Sequence, residues 1–255
     1  SPGDPPTRYG RMPASDPVEW ERMSVQRLSP ELQSLLGLPD RPAWRPYLMG
    51  IVNATPDSFS DSPGKKPVAE RVELARRLID DGADIIDVGG ESGVTNAPAV
   101  AVAEEIARVV PVIEAIRVEL PRAVISIDTY KPDVARAAIA AGARLVNDVS
   151  GLRDDELAAV AAEGGAGIVL MHTRAAPKQK VFPEYEDVVS DVIEFLADAV
   201  ARATEQGLPP EHIVLDPGPD FAKTPARTSD ALRTRDELGV LGGARRLTVS
   251  RKDVI

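Results

Sequence analysis

The sequence predicts an α/β protein built on a parallel β-sheet, either a (β/α)8 barrel or a doubly wound sheet. Seven short apolar runs recur along the chain, and stretches with helical periodicity separate them. The runs are apolar at successive positions, which is typical of strands that are buried on both faces. No G-x-G-x-x-G turn follows the first run, so one reason to choose the doubly wound, dinucleotide-binding form is missing.

The first 46 residues differ from the rest, and we interpret them as an N-terminal arm on a domain formed by residues 47–255. The opening stretch, SPGDPPTRYGRMPASDP, is rich in Pro, Gly and Ser and favours no regular element. One short helix is predicted in LSPELQSLLGLP, because Ser29 can cap it, Pro30 suits its first turn and Gly37 can end it. We expect the arm to be a packing segment or a partly ordered tail.

Strands and helices then alternate through residues 47–255. The predicted strands lie within YLMGIVN, ADIIDVG, AVISIDT, RLVNDVS, AGIVLMH, HIVLDPG and RRLTVSR. The segment VAERVELARRLIDDGA is typical of the helices, since it places one apolar face at helical spacing on Val68, Val72, Ala75, Leu78 and Ile79. Gly82 and Gly142 follow helical segments at the position where glycine commonly ends a helix.

Polar side chains end the apolar runs. The runs finish, in order, on Asn53, Asp87, Asp128, Asn147 with Asp148, His172, Asp216 and Ser250-Arg251-Lys252. One such residue is commonly a helix cap or a turn former. A repeated series predicts a shared pocket instead, because the carboxyl ends of barrel strands converge on one mouth.

The residue types at this predicted mouth suit a polar ring and an anion. Asp128, Asn147 and Asp216 offer acceptors and an amide to a flat heterocycle with an N–C–NH2 edge. Lys252, Arg251 and His172 supply positive charge for an anion. Asn53 offers an oxygen to a hard cation such as Mg²⁺, which takes few protein ligands besides substrate phosphates.

Composition limits the class of protein. The net charge of -10 argues against a nucleic-acid partner, since such proteins usually carry a basic face. The chain contains no cysteine, which excludes disulfides and thiolate chemistry. No apolar run approaches the ~20 residues of a membrane helix, and SPGDPPTRYG lacks the layout of a secretory signal. We therefore expect a cytoplasmic protein without a membrane partner.

Seven motifs, in order, resemble those of the dihydropteroate synthase family. They are GIVNATPDSFSD, GADIIDVGGES, SIDTYKP, VNDVSG, LMH, LDPG and VSRKD. The resemblance implies a (β/α)8 TIM barrel, of which this chain carries seven strands. It also implies a transferase that joins 4-aminobenzoate to a 6-hydroxymethyl-7,8-dihydropterin diphosphate, with Mg²⁺, to give 7,8-dihydropteroate and pyrophosphate in folate biosynthesis. A homodimer is an open expectation for the full-length protein.

The resemblance also implies a role for individual residues. Asp128, Asn147 and Asp216 match pterin-binding positions, and Lys252 matches a lysine that contacts the pterin; Asp128, Asp216 and Lys252 are the implied catalytic residues. Asn53 matches the position for diphosphate and magnesium, and Asp57 lies in a loop that the family folds over the site. Met171 and Phe221 are implied to pack against the ring, although plain core packing explains them equally well. The implied mechanism is dissociative: diphosphate leaves first, and the arylamine then captures a pterin cation.

The chain departs from the family pattern at three places. Gly93 and Val94 stand where the family has Thr and Arg in the loop that grips aminobenzoate. In the loop after the sixth strand, the family's usual residues are replaced by Pro219, Asp220 and Ala222. The Arg-x-His segment of the eighth unit is not found before Ile255, so we interpret the barrel as C-terminally incomplete and the chain as a fragment.

Two alternatives to the synthase remain open. One is a pterin-binding methyltransferase domain that handles methyltetrahydrofolate, although TPDSFSD and SRK match the synthase more fully. The other is a paralogue that binds a pterin without coupling it or with altered specificity, which the residues Gly93 and Val94 favour.

Overall fold

Seven parallel strands lie side by side in chain order. The structure is a computed structural model that describes residues 28–42, 45–55, 66–91, 98–179, 183–218 and 244–245. Each strand pairs with the next one in sequence. The strands are β1 (Met49–Asn53), β2 (Ile85–Gly89), β3 (Val124–Asp128), β4 (Leu145–Asp148), β5 (Gly167–Met171), β6 (Ile213–Asp216) and β7 (Ala244–Arg245).

Helices alternate with these strands. They are α1 (Pro30–Leu36), α2 (Lys66–Asp80), α3 (Val102–Glu119), α4 (Pro132–Ala141), α5 (Glu156–Glu163) and α6 (Val188–Glu205), and a 3-10 turn, Pro210–His212, leads into β6. The predicted α/β class is confirmed, and the sequential strand order is that of a β/α barrel. Among the described helices, none is both long enough and apolar enough to cross a bilayer.

The first six strands lie where the sequence predicts them. The seventh was predicted within residues 245–251, whereas β7 occupies Ala244–Arg245 and the rest of that run lies outside the described residues. Gly82 and Gly142 end α2 and α4 with φ of 104° and 125°, as the sequence predicts. Such angles are accessible mainly to glycine, so these two residues let the chain turn sharply into the next strand.

Each strand has an outer face and an inner face. Outer residues such as Val88, Ile127 and Leu170 are fully buried and pack with helix residues such as Val109 and Ile113 in the main core. Inner residues near the amino ends of the strands form a second apolar cluster, which contains Ile85, Val124, Leu145, Val169 and Val214. Four buried polar residues lie on the inner face of the strands, where they can form a site: Asp87, Ser126, Asn147 and Asp216.

The helix α1 covers the second apolar cluster at the amino ends of the strands. Leu32 and Leu36 are 0% and 2% exposed and pack in the same cluster as the inner residues of β2 to β6. A Cβ on Gly167 would lie 2.6 Å from Leu32 Cδ1, so the absence of a side chain there lets α1 approach the sheet closely. The helix therefore covers the end of the barrel opposite the strand carboxyl ends.

The ends of α1 confirm the predicted caps. Leu32 N–H donates to Ser29 Oγ over 3.0 Å, Pro30 is the first residue of α1, and Gly37 takes the left-handed conformation with φ of 69°. Ser29 Oγ also donates to the carbonyl oxygen of Glu211, just before β6. These bonds fix α1 both internally and against the barrel.

Candidate active site

One row of inner-face residues crosses the carboxyl ends of four strands. Asn53 pairs with Gly89, Gly89 with Asp128, and Asp128 with Asn147. Residues paired in a parallel sheet point to the same face, so their side chains share one layer. A Cβ built on Gly89 would lie 3.5 Å from Asp128 Oδ2 and 3.9 Å from Asn53 Oδ1. The two predicted site residues therefore flank the gap that Gly89 leaves.

Exposure changes along this row. Asn53 is exposed, Asp128 is half-buried and Asn147 is buried with 6% of its surface exposed. A ligand that enters from the exposed side reaches Asp128 before it reaches the amide of Asn147. The row thus has an exposed residue, Asn53, at one end and a buried amide, Asn147, at the other. Polar contacts are stronger at the buried end, because water is excluded there.

Asn147 is held by a second buried polar residue, Asp87. Asn147 Nδ2 donates to Asp87 Oδ2 over 2.8 Å, and Asp87 is 3% exposed. The sequence marked Asp87 as a strand end but gave it no role in the site. The alternation of strand side chains was the available signal, because Asp87 precedes Gly89 by two positions and so shares its inner face.

Asp216 and Met171 extend the site on the other side of Asn147. They pair with each other across β6 and β5, and both are 2% exposed. Gly218 N–H donates to Asp216 Oδ1 over 2.8 Å, which fixes the plane of the carboxylate. Gly218 has a φ of 58°, and a Cβ there would lie 2.3 Å from the carbonyl oxygen of His172. Only glycine fits this turn, which passes directly over the end of β5.

Two other polar residues at strand ends, Asp148 and His172, make contacts outside the inner face. Asp148 is fully buried and accepts from Ser150 N and Leu152 N, and burial raises the pKa of its carboxyl group. His172 is also fully buried, and its Nε2 lies 2.8 Å from Asp191 Oδ2 on α6. Both residues follow an inward-pointing residue and so face the helices. The position of His172 does not suit the anion-binding role that the sequence suggested for it.

A partly buried ion cluster lies beside the mouth, after β2. Lys131 Nζ is 2.6 Å from Glu91 Oε2, 2.6 Å from Glu105 Oε2 and 2.6 Å from the carbonyl oxygen of Val100. Val100 N–H donates to Glu91 Oε2 over 3.2 Å, and Lys178 Nζ lies 3.1 Å from Glu91 Oε1. The cluster therefore joins residues 91 and 100, which lie on either side of the segment containing Gly93 and Val94, to the loop after β5.

The charges in the cluster stabilise one another. Burial alone would raise the pKa of Glu91, but hydrogen bonds and charge from Lys131 and Lys178 outweigh it and lower the pKa of this carboxyl group. Burial alone would lower the pKa of Lys131, but Glu105 and Glu91 outweigh it and raise the pKa of the ammonium group. Both residues consequently stay charged at neutral pH.

A separate cleft of about 410 Å³ lies beside α6. It is lined by Arg174, Glu184, Tyr185, Glu186, Asp187, Ser190, Asp191 and Glu194. Arg174 is the single cation among these lining residues and is paired with Asp191. The cleft is thus dominated by carboxylates, which repel a diphosphate.

Asp57, Phe221, Arg251 and Lys252 lie outside the described residues, so their roles stay predictions. In the described part of the chain, no three His, Cys, Asp or Glu side chains are grouped so as to hold a metal ion.

Comparison with known proteins identifies the family of this fold and site. The profile of the family described as pterin binding enzyme matches residues 49–255. The chain belongs to this family. Within the pterin-binding family, a dihydropteroate synthase from Synechocystis sp. is 42% identical over 213 residues, which cover 83% of this chain and 73% of the relative. A dihydropteroate synthase from Streptococcus pyogenes serotype M3 is 43% identical and covers 82% of this chain and 76% of the relative.

A further relative is a longer protein. A probable bifunctional folylpolyglutamate synthase/dihydropteroate synthase from Haloferax volcanii is 45% identical over 198 residues. The match covers 76% of this chain but 23% of that relative. The similarity therefore concerns one part of the bifunctional protein.

Solved structures of the pterin-binding family agree with the described fold. The dihydropteroate synthase of Xanthomonas albilineans with 4-aminobenzoic acid has a TM-score of 0.74 at 41% identity, covering 82% of this chain and 74% of the other. The same enzyme in complex with 7,8-dihydropteroate has a TM-score of 0.70 at 40% identity over the same shares. The resemblance to dihydropteroate synthase that the motifs indicate, and the barrel fold that it implies, are confirmed.

Proposed function

We propose that this chain acts as a dihydropteroate synthase, a transferase of folate biosynthesis that joins 4-aminobenzoate to 6-hydroxymethyl-7,8-dihydropterin diphosphate. The observation that carries the proposal is the inner-face row of Asn53, Gly89, Asp128 and Asn147 at the strand carboxyl ends. The row places a carboxylate and an amide beside an exposed oxygen, which suits a ring at one end and a phosphate-bound cation at the other.

The pterin ring binds at the carboxylates. Asp128 and Asp216 each present a carboxylate to the mouth of the barrel, and such a group accepts two N–H groups from an amidine-like edge. Asp216 is oriented by Gly218 N–H, and Asp128 lies beside the gap at Gly89, so a flat ring can approach it closely. Met171, which is paired with Asp216, offers an apolar surface at the end of β5.

Mg²⁺ and the diphosphate belong at the rim, beside Asn53. Asn53 is exposed, and its side-chain oxygen lies across the gap at Gly89 from Asp128, which suits a cation that keeps most of its ligands from water and phosphate. When bound, the metal would disperse charge on the departing diphosphate. Lys252 and Arg251 would add positive charge there, in keeping with the resemblance of VSRKD to the family motif.

The residues of the barrel favour a dissociative reaction. The carboxylate of Asp128 stabilises positive charge on the pterin after the diphosphate has left. A loop such as the one that carries Asp57 would exclude water, which otherwise competes with the arylamine for the cation. No covalent nucleophile is needed, and the 4-aminobenzoate nitrogen forms the new bond.

The test is formation of dihydropteroate by the purified full-length protein. The dihydropterin diphosphate, 4-aminobenzoate and Mg²⁺ are supplied, and dihydropteroate and pyrophosphate are measured together, with chelation by EDTA as the control for the metal. We expect both products in equal amounts, loss of both with EDTA and recovery with added Mg²⁺. Absence of both products with Mg²⁺ present would overturn the proposal.

A second candidate function is pterin binding without coupling. It is favoured by Gly93 and Val94, which replace a hydroxyl and a cation in the segment implied to grip aminobenzoate. Calorimetry with the dihydropterin diphosphate alone separates the two candidates. Binding without product formation supports this second function, whereas product formation rejects it.

A further inference from the structure

The hydrogen bond between Asp87 and Asn147 spans a strand. Asp87 lies on β2 and Asn147 on β4, and β3 runs between them. Asp87 pairs in register with Ser126 of β3, which is fully buried and has a small side chain. A bulky residue at position 126 would occupy the space through which Asn147 Nδ2 reaches Asp87 Oδ2 at 2.8 Å. This hydrogen bond, the Asp87–Asn147 bridge, therefore depends on the packing of three strands.

The chemistry of this bond decides which way the amide of Asn147 faces. The nitrogen of the Asn147 amide faces Asp87, since Nδ2 is the donor of this bond and the carboxylate oxygen Oδ2 is its acceptor. The amide oxygen is then directed away from Asp87. Asp87 and Asn147 are 3% and 6% exposed, so water does not compete for the bond. The orientation of Asn147 is consequently fixed before a ligand arrives.

We propose that Asp87 is a positioning residue that sets Asn147 as a hydrogen-bond acceptor for an N–H group of the dihydropterin ring. The inference rests on the proposed function and adds a source of specificity to it. A ring that presents a donor to Asn147 is bound, and a ring that presents only an acceptor there meets the amide oxygen and is rejected. Asp87 itself does not contact the ring.

The test exchanges the two side chains. Asn147→Asp alone places two carboxylates against each other, and we expect dihydropterin to bind about 10- to 100-fold more weakly at pH 7 by calorimetry. Asp87→Asn combined with Asn147→Asp restores one donor, one acceptor and an acceptor directed at the ring. We expect the double variant to recover binding to within about 3-fold of the parent chain. Asp87→Leu removes the bridge and should also bind about 10-fold or more weakly.

The pH dependence of dihydropterin affinity shows whether Asp87 positions Asn147 or only stabilises the fold. In Asn147→Asp the paired carboxylates share a proton as the pH falls, so dihydropterin affinity should rise at low pH, whereas the double variant should lack this added pH dependence. Thermal unfolding of each variant is measured in parallel, and Asp81→Asn, an exposed change beyond α2, is the matched control.

Two results would overturn the inference. One is a double variant that binds no better than Asn147→Asp alone, and the other is a folded Asp87→Leu variant with the affinity of the parent. If Asp87→Leu does not fold, comparison of the double variant with Asn147→Asp still tests the inference. Failure of the parent chain to bind dihydropterin would instead count against the proposed function, so the two failures are distinguishable.

Discussion

Lys131 and Glu91 form a partly buried ion pair beside the mouth of the barrel, with 2.6 Å between Nζ and Oε2. The side chains are 13% and 7% exposed. Because Lys131 also donates to Val100 O and Glu91 accepts from Val100 N, the pair holds together the two ends of the segment after β2. The contact between residues 91 and 100 therefore depends on these charges.

The first prediction is a pH-dependent stability from Glu91. Its pKa is lowered from the ordinary value of 4.5, so its contribution is present above pH 4.5 and is lost as the pH falls through the lowered pKa. Glu91→Gln should reduce the free energy of unfolding by about 1 to 3 kcal/mol at pH 7. The difference from the parent chain should shrink as the pH falls below 4.5, which urea unfolding at several pH values measures.

The matched control is Glu73→Gln. Glu73 pairs with Arg76 at 3.6 Å on the exposed side of α2, with 55% of its side chain accessible. An exposed pair of this kind should change the free energy of unfolding by less than about 0.5 kcal/mol. A Glu91→Gln effect that is equally small, or that does not diminish in acid, would contradict the role of the partly buried pair.

The second prediction concerns the turn after β6. Gly218→Ala should destabilise the protein and weaken pterin binding, because the new Cβ would lie 2.3 Å from a backbone oxygen and must displace Asp216 or the end of β5. Gly165→Ala is the control, since Gly165 has a similar φ of 62° but no atom within 4 Å of the added Cβ. The control should show only the cost of a left-handed alanine, about 1 kcal/mol in thermal unfolding. Equal effects of the two changes would contradict the clash.

The third prediction concerns the ring. Asp128→Asn replaces a carboxylate by an amide that cannot accept both hydrogen bonds of an amidine-like edge, which should cost about 1.5 to 3 kcal/mol of pterin affinity. Calorimetry with a dihydropterin measures the loss, and Asp81→Asn provides the same change of charge at an exposed position after α2. Unchanged affinity in Asp128→Asn would remove Asp128 from the binding site.

The fourth prediction concerns the second substrate. Sulfonamides mimic aminobenzoate, and Gly93 and Val94 lack the hydroxyl and the cation of the family loop, so we expect weak inhibition of the active chain. Installing both family residues, Gly93→Thr with Val94→Arg, should strengthen inhibition in an assay of dihydropteroate formation. Submicromolar inhibition of the parent chain would show that other residues already supply these contacts. Position 93 and position 94 lie outside the described residues.

Local sequence features predicted the elements, whereas contacts between elements needed the structure. Ser29, Pro30 and Gly37 specify α1 through their own backbone preferences, so the helix could be predicted, but its position below the barrel could not. Asp128 was recognisable because a charge at the end of an apolar run is unusual. The bond between Asp87 and Asn147 joins residues 60 positions apart and depends on the register of three strands. No local pattern carries that register.

The position of α1 has a consequence for the order in which the chain folds. The surface that it covers is made by Ile85, Val124, Leu145, Val169 and Val214, all of which are synthesised after α1. Ser29 bonds to Glu211, 182 residues further on. The docking of α1 therefore closes a long loop of the chain, which has a high entropic cost. Until then an apolar surface at the amino ends of the strands faces water, and the nascent protein is open to aggregation there. The helix α1 is thus synthesised early but is among the last described elements to reach its place.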